Sequence, residues 1–285
     1  MSRNNEERFG APEASLPPPV MQPETAINEQ AFSFVVPTEF VELPSRGRFY
    51  PEEHPLHNQE SIEIRYMTAK DEDTLTSSAL LKKGIALDRL LQNVIVDKRV
   101  KVDDLLIGDK NAILVASRIS GYGRSYDVKM TCSSCLASSE YQFDLAELNM
   151  SYNDNVEEHG VMLLSDNTFL LTLPKTNVEV TLRLITGADE KALTRLAQNR
   201  KKNNLPESTL TDQFRKIIVA VNGSTNQSHI GELVENMPAA DSRYLRNIYT
   251  KITPNVDLSQ EFECSACDTA EEVIIPFTTE FFWPK

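Results

Sequence analysis

This chain of 285 residues has only four cysteines, one tryptophan and no apolar run approaching the ~20 residues of a membrane-spanning helix. A bilayer span is therefore not expected. Basic charge is also short: 29 Lys and Arg face 42 Asp and Glu, giving a formal net charge of −13. That balance argues against nucleic acid, whose binders neutralise phosphates with a basic face. The two densest basic runs, Lys98-Arg99-Val100-Lys101 and Arg200-Lys201-Lys202, read as solvated helix ends. No Gly-rich phosphate loop, dinucleotide fingerprint, Gly-x-Ser-x-Gly or His-Glu-x-x-His occurs. Acidic pairs such as Asp103-Asp104, Glu157-Glu158 and Glu271-Glu272 are adjacent in sequence, as solvated groups are. The chain is expected not to be an enzyme. Arg3, Glu6, Glu7 and Arg8 stand where a secretory signal would carry its apolar region. A reducing cytoplasm is the expected compartment, and there free thiols bind metal more often than they pair.

All four cysteines fall in two Cys-x-x-Cys knuckles, Cys132-Ser133-Ser134-Cys135 and Cys264-Ser265-Ala266-Cys267. Each such turn aims two sulfurs at one metal, and two turns complete a tetrahedral all-thiolate site for structural Zn2+. Tyr126, Val128, Met130 and Cys132 share one parity, and Tyr141 and Phe143 alternate after the knuckle. Leu258, Phe262 and Cys264, with Gln260 as the exception, then Val273, Ile275 and Phe277, repeat the pattern around the second. Strand, knuckle, strand, twice, is the layout of a zinc ribbon. A redox dithiol would open a helix instead. A catalytic zinc would keep a place for water, which four cysteines fill. His54, His57, His159 and His229 lie far from both knuckles in sequence.

The expected fold class is α+β. Residues 1–30, polar and rich in proline, read as a disordered arm. Residues 31–120 hold an extended, proline-broken segment, a strand at Ile62, Ile64 and Tyr66, and a helical block. One helix runs from a capping pair, Thr68 and Asp71, through Leu75, Leu80 and Leu81 to Gly84. A second carries Leu87, Leu90, Leu91 and Val94. Asp103–Leu106 forms a turn ending at Gly108, and Asp109 caps a helix that stops near Gly121 and Gly123. The ribbon is assembled from 121–150 and 255–285. Between them, 151–254 is a mostly helical inserted domain. It contains a strand pair, Phe169–Leu173 with Val178–Leu184, and helices starting at Thr186 and Pro238. A third presents Phe214, Ile217, Ile218 and Val221 up to Asn222-Gly223. The stripe of the last helix is Ala240, Tyr244, Leu245 and Ile248. At the end, Phe281, Phe282 and Trp283 either pack the metal module or form a docking patch for a partner.

Taken in order, Pro44-Ser45-Arg46-Gly47-Arg48-Phe49-Tyr50-Pro51, Leu80–Gly84, Leu105–Lys110, Arg118 with Gly121-Tyr122-Gly123, the knuckles, Pro238–Asp241 and the Phe281–Pro284 terminus resemble the baseplate hub proteins of contractile-tailed, T-even-type bacteriophages. The resemblance covers the chain from about residue 35. It implies a structural or assembly component of the tail baseplate hub, without enzyme activity. Its partners would be other hub and tail proteins. Its location would be the host cytoplasm during assembly and the virion tail baseplate. A transient tail-assembly chaperone and a zinc-ribbon transcription factor are the alternative functions.

Overall fold

The computed structural model describes residues 35–275 and 279–282, so the expected arm at 1–30 and Trp283 lie outside it. Alternating Val41 and Leu43, then Ile62 and Ile64, put one apolar face on β1 (Thr38–Glu42) and β2 (Ser61–Arg65), an antiparallel pair. Helices α1 (Ala69–Thr76), α2 (Ser78–Lys83) and α3 (Ala86–Val94) follow, then α4 (Ile107–Tyr122). The first knuckle hairpin is β3 (Ser125–Thr131) with β4 (Ser138–Asp144). Short strands β5 (Met150–Ser151) and β6 (Met162–Leu163) lead to β7 (Phe169–Thr172) and β8 (Glu179–Leu182). Next come α5 (Gly187–Lys202), α6 (Thr209–Ile217), β9 (Ile218–Val221), α7 (Gln227–Asn236) and α8 (Ala239–Ile252). After β10 (Asn255–Val256), the second knuckle hairpin is β11 (Ser259–Glu263) with β12 (Ala270–Ile274). The class is α+β.

The capping pair is real: Asp71 accepts from the Thr68 N–H at 2.9 Å and the Thr68 hydroxyl at 2.8 Å. The single helix expected through Leu75 and Leu81 is two, because Ser77 turns extended (ψ 106°) before Gly84 closes α2 at φ +67°. Gly108 does not end a turn. It sits inside α4, where a Cβ would meet the Pro254 carbonyl oxygen at 2.0 Å, so only glycine admits the crossing strand. Asp109 is not the cap either; Leu106 holds that place and Asp109 faces inward. The helix expected through Val221 breaks after Ile217, where the β-branched Ile218 and Val219 open the sheet strand β9. Asn222 and Gly223, both at positive φ, then form a turn closed between Val221 and Ser224. Helix α7 was not anticipated. Pro238 caps α8 from outside, and Ala240 is exposed; the buried stripe is Asp241, Leu245, Ile248, Tyr249 and Ile252.

The two parts of the chain follow one plan. A hairpin whose first strand ends in Leu-Pro (Leu43-Pro44, Leu173-Pro174) is closed by Leu43 N–H to Glu60 O at 2.8 Å, or Leu173 N–H to Val178 O at 2.9 Å. The second strand runs into Arg-x-x-Thr-x-x-Asp: Arg65, Thr68 and Asp71 in one half, Arg183, Thr186 and Asp189 in the other. In both, the arginine pairs with the aspartate at 2.7 Å and the threonine caps the helix. Helices return the chain to the sheet, where Ile95 bridges Ile64 and β9 pairs with β8. A last helix carries a wholly buried aspartate in its first turn. Asp109 accepts from Ser45 N–H (2.9 Å), Ser45 hydroxyl (2.6 Å) and Tyr50 hydroxyl (2.7 Å). Asp241 accepts from Lys175 N–H (2.8 Å), Thr176 N–H (3.0 Å) and Thr176 hydroxyl (2.8 Å). Each aspartate thus pins its own Leu-Pro turn. The same number of residues separates Asp109 from Cys132 and Asp241 from Cys264. The segment read above as lying inserted between the knuckles therefore retraces the segment before them.

One apolar core runs from Val41 to Phe282 and joins the halves. Gly187 N–H reaches Leu105 O at 2.9 Å, and β5 pairs with β10. The Lys110 ammonium lies between Asp88 (2.8 Å) and Glu190 (2.5 Å). No helix among the described residues is long and apolar enough to cross a membrane.

Candidate metal centre

Each half ends in one knuckle hairpin of the same geometry. Cys132 N–H donates to Ala137 O (2.9 Å) and Leu136 N–H to Cys132 O (3.1 Å). In the second, Cys264 N–H donates to Thr269 O (3.0 Å) and Asp268 N–H to Cys264 O (2.8 Å). The residue after each second cysteine is left-handed, Leu136 at φ +58° and Asp268 at +53°. Leucine rarely adopts that conformation, so the knuckle's demands override local preference there.

The hairpins face each other and bring all four sulfurs within 4.8 Å of one another. Cys132 Sγ lies 3.7 Å from Cys267 Sγ, and Cys135 Sγ 3.7 Å from Cys264 Sγ. A disulfide needs ~2.05 Å. A zinc tetrahedron with Zn–S near ~2.3 Å has edges of about 3.8 Å, which these separations match. Cys132 and Cys264 are buried, while Cys135 and Cys267 face solvent. Beneath them Phe262 is buried, with Met130, Tyr141 and Val273 packed around it. The Tyr141 ring stands edge-on to Phe262 at 5.1 Å, and its hydroxyl reaches Glu261 O at 3.1 Å. Ser133 N–H donates to Glu271 Oε1 at 3.1 Å, joining the tip of one hairpin to the strand of the other.

The sulfur environment favours thiolate at Cys267. Bonds from the Thr269 hydroxyl and amide, then from Cys135, lower the Cys267 thiol to about 6. The Ala137 amide pulls Cys135 the same way but is outweighed by its bonds to Cys267 and the other sulfurs, which push it up to about 12. Ser134 N–H also points at Cys132 Sγ at 3.4 Å.

Among the described residues, these cysteines are the group of three or more metal-capable side chains that comes together. His54 stacks on Tyr50 at 4.5 Å, His57 Nδ1 contacts Tyr50 O, and His229 contacts the Ser224 hydroxyl. Of the terminal aromatics, Phe281 and Phe282 are 2% and 1% exposed. Phe281 stands edge-on to Tyr126 at 5.1 Å, and Trp283 lies outside the described residues. Sequence reasoning gave Arg118 no role. It is 1% exposed and donates to three carbonyls, Phe281 O (2.6 Å), Gly123 O (2.7 Å) and Ser125 O (3.0 Å). It fastens the terminal turn to the root of the first hairpin. An arginine in the last turns of a helix just before a knuckle was the available signal.

Fold and site together define a two-halved α+β protein whose halves each supply two thiols to one cluster. The chain belongs to the T4 bacteriophage base plate protein family, whose model matches residues 37–283. Neither the curated proteins nor the solved structures yield a match.

Proposed function

We propose that this protein is a structural or assembly component of the baseplate hub, acting through protein contacts, with Zn2+ on Cys132, Cys135, Cys264 and Cys267 closing a zinc ribbon. The observation that carries the metal reading is the 3.7 Å spacing of free sulfurs contributed by both halves. The zinc would supply no chemistry beyond binding: four thiolates fill its coordination shell, and the residues around it orient sulfur. Metal binding would couple to folding of both hairpins. A role without catalysis is supported by how the buried carboxylates are spent. Asp71, Asp109, Asp189 and Asp241 are each taken up by caps or turns. The net charge of −13 favours protein partners over nucleic acid.

Quantitative mass spectrometry of purified particles and of infected-cell lysate tests the role. Recovery with the particle in fixed ratio to other baseplate proteins supports a hub subunit in the virion tail. Abundance in the lysate with absence from the particle makes it an assembly factor of the host cytoplasm. Absence from both tail intermediates and particles would sink the proposal.

A further inference from the structure

Among the described residues, the halves differ at one sheet edge. In the second half, β6 adds to the outer edge of β7, with Met162 opposite Leu170 and Leu163 opposite Phe169. A tight turn delivers it, closed by Leu164 N–H to Thr168 O at 2.8 Å and containing Asn167 at φ +62°. In the first half, β1 takes the place of β7 and Phe40 that of Leu170. Among the described residues β1 pairs with β2 alone. Val35-Val36-Pro37 stand where the second half has Ser165-Asp166-Asn167, so the turn chemistry is not repeated.

The phase of the ladder shows which groups are left. Leu43 N–H bonds Glu60 O and Tyr66 N–H bonds Pro37 O. Antiparallel alternation then turns the N–H and C=O of Thr38, Phe40 and Glu42 outward. Phe40 is 74% exposed, whereas Leu170 is half-buried. Edges are ordinarily blunted by lysine, proline, a bulge or a cover. Thr38–Glu42 contains neither lysine nor proline, and its register with β2 is unbroken. Glu63, opposite Phe40, and Glu42 two residues along β1, whose carboxylate accepts from the Tyr152 hydroxyl at 2.7 Å, flank the exposed ring.

We propose that the outer edge of β1 is a docking strand, along which an extended segment of another tail protein adds antiparallel, with an apolar side chain beside Phe40 and basic residues toward Glu42 and Glu63. Main-chain bonds give such an addition its affinity and the pocket beside the ring its selectivity. β6 on β7 is the intramolecular counterpart. The inference rests on the reading of the chain as a scaffold acting through protein contacts.

A photo-crosslinking residue in place of Thr38, in the full chain expressed during infection, tests it by mapping the cross-linked peptides. The expected product joins Thr38 to one apolar, basic-flanked segment of another tail protein. Phe40→Pro removes an N–H that points away from β2, so melting should hold while cross-link yield falls about tenfold, the weight of one backbone hydrogen bond. Phe40→Lys, which keeps the whole ladder, should lower the yield as well and serves if the proline variant misfolds. Cross-links confined to residues 1–34 of the same chain, or to β1 of a second copy, would overturn the proposal. So would a yield unmoved by Phe40→Lys. A particle that contains the protein but gives no cross-link at Thr38 sinks the docking edge and leaves the scaffold reading intact.

Discussion

The first half, from β1 to β4, and the second, from β6 to β12, build the same unit with different margins. What they share is polar and buried: the Arg–Asp pair at the helix start, the aspartate that pins the Leu-Pro turn, and the knuckle. What differs is length at the rim. The turn after Leu43 runs through Pro44–Gln59, where the second half needs only Pro174–Asn177. The longer turn reaches beyond its own hairpin: Arg46 and Arg48 pair with Asp154 in the connection between β5 and β6, and Phe49 meets Phe169 of the other half at 5.5 Å. Among the described residues, the second half instead adds α7 and β6. The shared features fix the fold, and the margins join the halves or face outward.

The largest effect should separate neither half from the other. Cys132→Ser with Cys135→Ser, and Cys264→Ser with Cys267→Ser, should each release both hairpins, because two sulfurs cannot replace four. Zinc-coupled folding can reach an apparent ~10 kcal/mol. Calorimetry and hydrogen exchange of the two variants should therefore coincide, and chelation of the wild type should reproduce them. A variant that kept its own partner hairpin protected would break the equivalence.

The next effect should be one-sided. Arg118 in α4 corresponds to Thr250 in α8, an exposed residue whose hydroxyl bonds only its own helix. Arg118→Met leaves three carbonyls without their donor and should cost about 3 kcal/mol in denaturant unfolding. Thr250→Met should stay within about 0.5 kcal/mol.

Asp109→Ala and Asp241→Ala should cost similar amounts, about 2 kcal/mol each, since each leaves three donors on its Leu-Pro turn without their acceptor: an amide and two hydroxyls for Asp109, two amides and a hydroxyl for Asp241. The titration of Asp109 separates it from the capping aspartates. Burial, opposed by the Ser45 and Tyr50 bonds, holds Asp109 above its ordinary value. Burial acts on Asp71 and Asp189 too, but bonds from Arg65 and Arg183 outweigh it and hold both below 3.8. The stability that these two contribute is complete above the ordinary carboxylate value and is lost as pH falls through their lowered folded values. Asp71→Asn and Asp189→Asn should each flatten that acid limb by about 1 kcal/mol or less, the scale of partly exposed pairs. Melting temperature against pH measures it. Asp109 has the opposite sign: acidification through its raised folded value relieves a cost, so Asp109→Asn should remove a small gain rather than a loss.

Much of this was legible in the chain. The knuckles and their strands follow from cysteine spacing and period-2 alternation, and Thr68 with Asp71 announced its helix. The failures share a physical cause, in that partners distant in sequence decided them. Gly108 reads as a turn residue until Pro254 crosses it. Phe214–Val221 is apolar enough for helix or strand, and only the edge of β8 selects the strand after Ile217. The repeat was written in Arg-x-x-Thr-x-x-Asp and Leu-Pro, but the long turn at 44–59 and the added α7 shift the register between matches and hide the correspondence. Asp109 looked like a cap because its acceptors' donors, Ser45 and Tyr50, lie on another element.

The central claim is that one metal is held jointly by the two halves. Native mass spectrometry of the full chain, purified without added metal, measures it directly when run beside the two double cysteine variants. One zinc per wild-type chain, and none in either variant, is the predicted result. A metal-free wild type with four free thiols, or metal retained when one knuckle alone is left, would contradict it.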